Sequence, residues 1–157
     1  MGGAGQGMER FLGRHPKKID AKGRVSIPAP FRAVLAHDGF EGLFCVRALW
    51  EPAVEAGGNA LIAQIDAAVS GYDGFSPEHL HLAATLMGAG DTLSIDGEGR
   101  IVVPDWIREA AGITDEIVFV GLGQKFQFWA PEAFKAFEAK ARAAAAELLG
   151  RARGGQP

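Results

Sequence analysis

The sequence predicts an α+β fold built from one small unit used twice, and three observations carry that prediction. Residues 19–32 and 95–108 are copies of one another at a constant offset of 76: each reads Ile-Asp-x-x-Gly-Arg, a short apolar alternation, Pro and, four residues later, Arg. Each copy is followed by apolar, β-branched strand candidates, at residues 43–50 and 116–129. Between and after them, apolar residues recur at helical spacing. A repeat of about half a 157-residue chain with 48% apolar residues favours two fused units around a shared core.

From the N-terminus, residues 1–8 are glycine-rich and expected to be flexible, with Met8 an alternative start. Residues 8–16 mix Phe11 and Leu12 with Arg10, Arg14 and His15 and read as a strand leading into the first unit. There Asp20 opens a turn by bonding its own backbone, and Gly23 takes the position where positive φ is cheap, as in a type I turn closing a bulged hairpin. Arg24 begins the return strand Val25-Ser26-Ile27, which Pro28 ends because it has no N–H to donate. A short helix is expected over residues 29–36. The second copy repeats the plan with Asp96, Gly99, Arg100, Ile101-Val102-Val103 and Pro104, and its helix, 105–111, stops at Gly112.

The segment 43–50 reads as a strand buried on both faces, and 116–121 with 125–129 as a hairpin around Gly121-Leu122-Gly123. Trp50-Glu51-Pro52 and Trp129-Ala130-Pro131 recur at an offset of 79, as if three residues separated the copies. Asn59 is expected to cap a helix carrying Leu61, Ile65 and Val69 on one face. Ser76-Pro77-Glu78 opens another, with Leu80, Ala83, Ala84 and Met87 on one side. Pro131 starts the longest helix, which presents Phe134, Phe137, Ala141, Ala144 and Leu148 to its own core and ends at Gly150. The expected division is a flexible 1–8, a first repeat 9–56, a helical connector 57–88, a second repeat 89–134, a C-terminal helix 131–150 and a disordered tail 151–157.

The formal net charge of −3 argues by itself against a nucleic-acid partner, so its distribution has to decide. Residues 1–32 hold seven Lys and Arg against two acids, leaving −8 for the rest of the chain. Basic charge surrounds the first unit only. The single cysteine, Cys45, excludes an intramolecular disulfide and a cysteine-based zinc site and fits a cytoplasmic protein. No apolar run approaches the roughly 18 residues of a membrane span, so no membrane contact is expected.

Enzyme chemistry finds no constellation. Gly121-Leu122-Gly123 leads from strand to strand rather than into a helix and reads as a turn. His79 and His81 stand two apart on a helix and face different ways, and His15 and His37 are isolated. Ser26 lies mid-strand before a proline, without a nucleophile elbow. No catalytic residue, metal or cofactor is expected.

The two registered Asp-x-x-x-Arg units, with Phe11-Leu12-Gly13-Arg14-His15 before them and the run from Phe126 to Phe134 after them, resemble the MraZ transcriptional regulators of the bacterial division and cell-wall gene cluster. The resemblance implies tandem AbrB-like swapped-hairpin halves, interleaved into one pseudo-dimeric β-barrel with peripheral helices. It also implies a cytoplasmic, nucleoid-associated protein that binds double-stranded DNA, assembles with itself into a ring, and recognises short direct repeats upstream of its own operon. This chain departs from the family's pattern at His79-Leu80-His81-Leu82-Ala83-Ala84, where an arginine-bearing helix is common.

A two-stranded ribbon fits the major groove, where arginine can take guanine O6 and N7 while lysines meet phosphates. The candidate DNA-binding residues are Arg24, Lys22, Lys18, Lys17 and Arg14. Residue physics alone divides Arg24 evenly between a hairpin ion pair with Asp20 and base contact. The resemblance implies DNA contact by the first unit's arginine. The second unit has Glu98 in place of Lys22, and residues 91–108 hold four acids against two arginines. Asp20, Gly23, Asp96, Gly99 and Arg100 are therefore assigned structural roles. The alternative is an oligomeric, antitoxin-like protein-interaction module with no specific DNA target.

Overall fold

The computed structural model describes residues 9–154. In chain order its elements are β1 (Arg14–Lys18), β2 (Arg24–Ser26), α1 (Ala29–Asp38), β3 (Leu43–Arg47), β4 (Val54–Gly57) and α2 (Asn59–Val69). There follow α3 (Pro77–Ala83), which runs into a π turn (Ala84–Gly88), then β5 (Asp91–Leu93), β6 (Arg100–Val102), α4 (Asp105–Ala111), β7 (Glu116–Gly121), β8 (Phe126–Trp129) and α5 (Pro131–Gly154). The α+β class is as expected. The expected flexibility of residues 1–8 falls outside the described residues.

Each unit donates its strands to the other. The leading strand β1 does not pair with the return strand β2: β1 pairs with β7, and β2 pairs with β6, its counterpart in the second unit. In the same way β5 pairs with β3. The six-stranded antiparallel sheet runs β1-β7-β8-β4-β3-β5, so the order met from one end, in terms of the repeat, is the order met from the other. The two halves join where β4 meets β8, with Glu55 opposite Gln127. The second sheet is the β2–β6 ribbon alone. Among the described residues the ladders do not close into a barrel, because β1 and β5 remain edges of the larger sheet.

One core receives side chains from both units. Ile19, Val25, Ile27, Phe31 and Leu43 from the first pack with Ile101, Val103, Ile107, Ile117 and Phe119 from the second. Alternation along β7 sends Ile117 and Phe119 to this core and Val118 and Val120 to the opposite face, where Trp129 and Phe134 cover them. On the other half, Val46 faces Leu61, Ile65 and Val69 of α2. This two-sided burial explains why β3 and β7 read as nearly continuous apolar runs.

Four further expectations need correction. Trp50 is not the counterpart of Trp129: it lies in the β3–β4 loop and is 86% exposed, whereas Trp129 ends β8, is 1% exposed and stacks on Phe137 of α5. Their shared tripeptide is a coincidence of sequence. Asn59 does not cap α2; the Asp38 carboxylate at the end of α1 accepts from Asn59 N at 2.6 Å and Ala60 N at 3.0 Å. Leu80 is exposed, because the face of α3 and the π turn that packs on α2 carries Leu82, Ala83, Leu86 and Met87 instead. The last helix passes Gly150 and continues to Gly154, and from Arg142 onward every described residue is exposed, so only its first turns pack on the core.

Candidate nucleic-acid interface

The two Asp-x-x-x-Arg turns fold alike, because each aspartate closes its own loop. Asp20 Oδ1 accepts from Lys22 N at 2.9 Å and Arg24 N at 2.8 Å, and Oδ2 accepts from Arg24 Nε at 2.8 Å. Asp96 does the same with Glu98 N, Arg100 N and Arg100 Nε, each at 2.9 Å. Gly23 and Gly99 sit at φ of +82° and +79°, the left-handed conformation that the turn requires. These bonds, led by those from the Arg24 and Arg100 backbones, hold both carboxyls below the ordinary aspartate value. Arg100 is raised, chiefly by its bond to Asp96.

Strand pairing then places the turns together. In the ribbon Val25 lies opposite Ile101, and both are buried in the core. Alternation therefore puts Arg24, Ser26, Arg100 and Val102 on the outward face. Arg24 pairs with Val102 and Ser26 with Arg100, so the arginines are diagonal neighbours, their Cα atoms roughly 7–8 Å apart. The ends of the ribbon are tied reciprocally: Ile27 N donates to Gly99 O at 2.9 Å and Val103 N to Gly23 O at 2.8 Å.

The sequence assigned no role to the repeated arginines Arg32 and Arg108, yet each bonds a carbonyl of its own unit and reaches the other unit's turn. Arg32 donates to Ile27 O at 2.9 Å and lays its stem against Gly99, where a Cβ would fall 2.4 Å from Arg32 Cδ. Arg108 donates to Thr114 O and ends beside Gly23. Their recurrence at the offset of 76 was the available signal.

The arginines differ at their outer atoms. Arg24 is bound through Nε alone, and its Nη1 and Nη2 have no partner among the described residues. Arg100 Nη1 also faces Glu98 Oε1 at 3.4 Å. Lys22, exposed at the first turn, stands where Glu98 stands at the second. Lys18 is exposed at the end of β1 that leads into the first turn, and Lys17 beside it is half-buried. Arg14 lies at the far end of β1, paired with Glu138 of α5 and over the Phe134 ring at 5.3 Å from its centre. Lys18, Lys22 and Arg24 therefore stand at or beside the first turn, and Arg14 stands at the opposite end of β1.

Comparison with known proteins gives the chain its family. A family model described as "MraZ protein, putative antitoxin-like" matches residues 86–152. A protein of Xanthobacter autotrophicus named transcriptional regulator MraZ is 51% identical over 141 residues, covering 90% of each chain. The chain belongs to the MraZ family. Further MraZ relatives of the same name come from Azorhizobium caulinodans, 48% identical over 135 residues and 86% of each chain, and from Parvibaculum lavamentivorans, 46% identical over 136 residues, or 86% of this chain and 84% of the relative. The MraZ relatives are named as transcriptional regulators, not enzymes. Among the described residues there is no group of three His, Cys, Asp or Glu placed to hold a metal, and no helix is long and apolar enough to cross a membrane.

Proposed function

We propose that this protein is a sequence-specific, DNA-binding transcriptional regulator acting in the cytoplasm at the nucleoid, and that its first turn is the reading element. The observation that carries the proposal is the state of Arg24. Asp20 fixes the guanidinium through Nε while both terminal nitrogens stay unpartnered on an exposed ribbon face, with Lys22 beside them. A guanidinium oriented by one edge and free at the other is suited to guanine O6 and N7. Lys18 and Lys17 supply charge for the flanking phosphates. Arg14, held by Glu138, contributes least. Asp20, Gly23, Asp96, Gly99 and Arg100 build the turns.

The reciprocal strand exchange and the end-to-end symmetry of sheet order support reading repeats 9–56 and 89–134 as AbrB-like halves of a pseudo-dimer, with 57–88 as the connector. An acidic chain with a few basic contacts binds DNA weakly as a single copy. A ring presenting several first turns to short direct repeats upstream of its own operon, in the division and cell-wall cluster, would gain avidity of roughly 10²–10⁴. The exposed Trp50, Leu148 and Leu149 offer apolar surface for such assembly. The same surface favours the second reading, an antitoxin-like module that grips a protein partner.

The test is fluorescence anisotropy with the native upstream duplex and a scrambled one across a salt series. Specific binding should be preferred on the native duplex and fall by roughly 5- to 150-fold in Arg24→Ala, the loss of one good bidentate contact being about 1–3 kcal/mol. The variant should keep its circular dichroism and its mass in solution. Equal, weak binding to both duplexes, unchanged in Arg24→Ala, would move the assignment to the protein-partner reading.

A further inference from the structure

We propose that Glu98 withholds the second turn's arginine from DNA, so that the ribbon meets a duplex with one free guanidinium instead of two. The inference rests on the DNA-binding reading and concerns a residue to which that reading gives no role. It begins from placement. Arg100 is not remote from the reading turn: it shares the outward face of the ribbon with Arg24, as its diagonal neighbour across the two strands. A nucleic acid that reaches Arg24 is therefore within reach of Arg100.

The two turns have the same backbone bonds and the same Asp–Arg Nε bond. They differ at Ala21 against Gly97 and, in charge, only at the middle position, where the first has Lys22 and the second Glu98. Glu98 acts there in two ways. Its carboxylate occupies the outer side of Arg100, with Oε1 3.4 Å from Nη1. It also brings the face to three charges of each sign: Lys22, Arg24 and Arg100 against Asp20, Asp96 and Glu98. The side chain is 74% exposed, so the ion pair itself is weak and does not hold the fold together. Its effect is on what approaches: a phosphate oxygen nearing Arg100 meets a carboxylate first. Glu98 is thus a negative determinant of affinity, and it makes one side of the ribbon the reader.

The experiment compares the full-length protein with Glu98→Gln and Glu98→Lys by anisotropy on both duplexes across the same salt series. Glu98→Gln keeps the side chain's size and removes its charge. If Arg100 is freed to meet one phosphate, the slope of log K against log salt should steepen by about 0.9 and binding at 0.1 M salt should tighten by up to roughly eightfold. Glu98→Lys should steepen it further, by up to about 1.8. Both variants should melt with the parent. Unchanged affinity and slope in both variants, while Arg24→Ala still weakens specific binding, would overturn this inference and leave the DNA-binding reading standing. Tighter binding with an unchanged slope would also overturn it, since no new phosphate contact would have formed. Failure of the parent itself to bind either duplex would overturn the reading and the inference together.

Discussion

The aspartates of the two turns act through geometry that a single residue controls. Asp20 and Asp96 each gather two backbone N–H groups and one arginine Nε, and the charged carboxylate is the form that accepts all three. Accepting those bonds holds both groups below the ordinary value of 3.8, the bonds from the Arg24 and Arg100 backbones leading. A depressed carboxyl contributes its stabilisation fully above 3.8 and loses it as the pH falls through the folded value. The turns should therefore hold throughout the neutral range and loosen only in acid below 3.8. A carbon-13 titration of the side-chain carboxyls checks this: both should show midpoints below 3.8, and a midpoint at or above it for either would contradict the bonding. Cys45 lies at the other extreme, since burial in the core, with Asp91 adding, pushes its thiol far up.

At the scale of elements, the join between α1 and α2 shows how one side chain sets two helices. Asp38 ends α1 while its carboxylate serves the first N–H groups of α2, and Gly58 between them is small because a Cβ there would lie 2.3 Å from Asp38 Oδ2. Asp38→Ala strands these donors and should cost about 2 kcal/mol in urea unfolding. Asn59→Ala should cost less, because Asn59 only donates its side-chain amide to Asp38 O. The sequence suggested the cap one residue away, at Asn59. A residue preceding a helical run is the usual donor of a cap, and a carboxylate 21 positions earlier in the chain leaves no local trace. Ser76 was legible for the opposite reason, since its hydroxyl serves His79 N only three residues on. The reach of α5 was half legible: Phe134 and Phe137 pack as their spacing predicts and Ala141 is half-buried, but Ala144 and Leu148 continue that spacing into solvent.

At the scale of the whole molecule, the exchange of strands makes each unit depend on the other. A Cβ at Gly99 in the second turn would lie 2.4 Å from the stem of Arg32 of the first unit, whereas one at Gly23 would meet only ordinary contacts, with the tip of Arg108 at 3.8 Å and Val102 at 3.9 Å. Both positions have positive φ, so alanine at either should cost about 1–2 kcal/mol from the backbone alone. Gly99→Ala must also displace Arg32 and should cost measurably more than Gly23→Ala in thermal or urea unfolding. Equal costs would mean that the stem yields freely and that the cross-unit contact is incidental. Since one core is filled from both units, the loss should appear as a single cooperative transition rather than two.

What the sequence by itself determined about this protein is whatever closes within a few residues. The Asp-x-x-Gly-Arg turns, the strand stops at Pro28 and Pro104, the end of α4 at Gly112, and the concentration of lysine and arginine around the first turn all follow from bonds or charges of near neighbours. The repeat also pointed to the family. Only the tertiary structure decided which strand pairs with which, because β2 has the same hydrogen-bonding groups whether it meets β1 or β6. The choice is made by the common core that the exchange buries. From that pairing come the placement of Arg24 beside Arg100 on one face, the crossing of Arg32 to Gly99, the separation of Arg14 from the other basic residues, and the exposure of Trp50. Each joins residues distant in the chain, and their proximity is a property of the packed molecule rather than of any stretch of it.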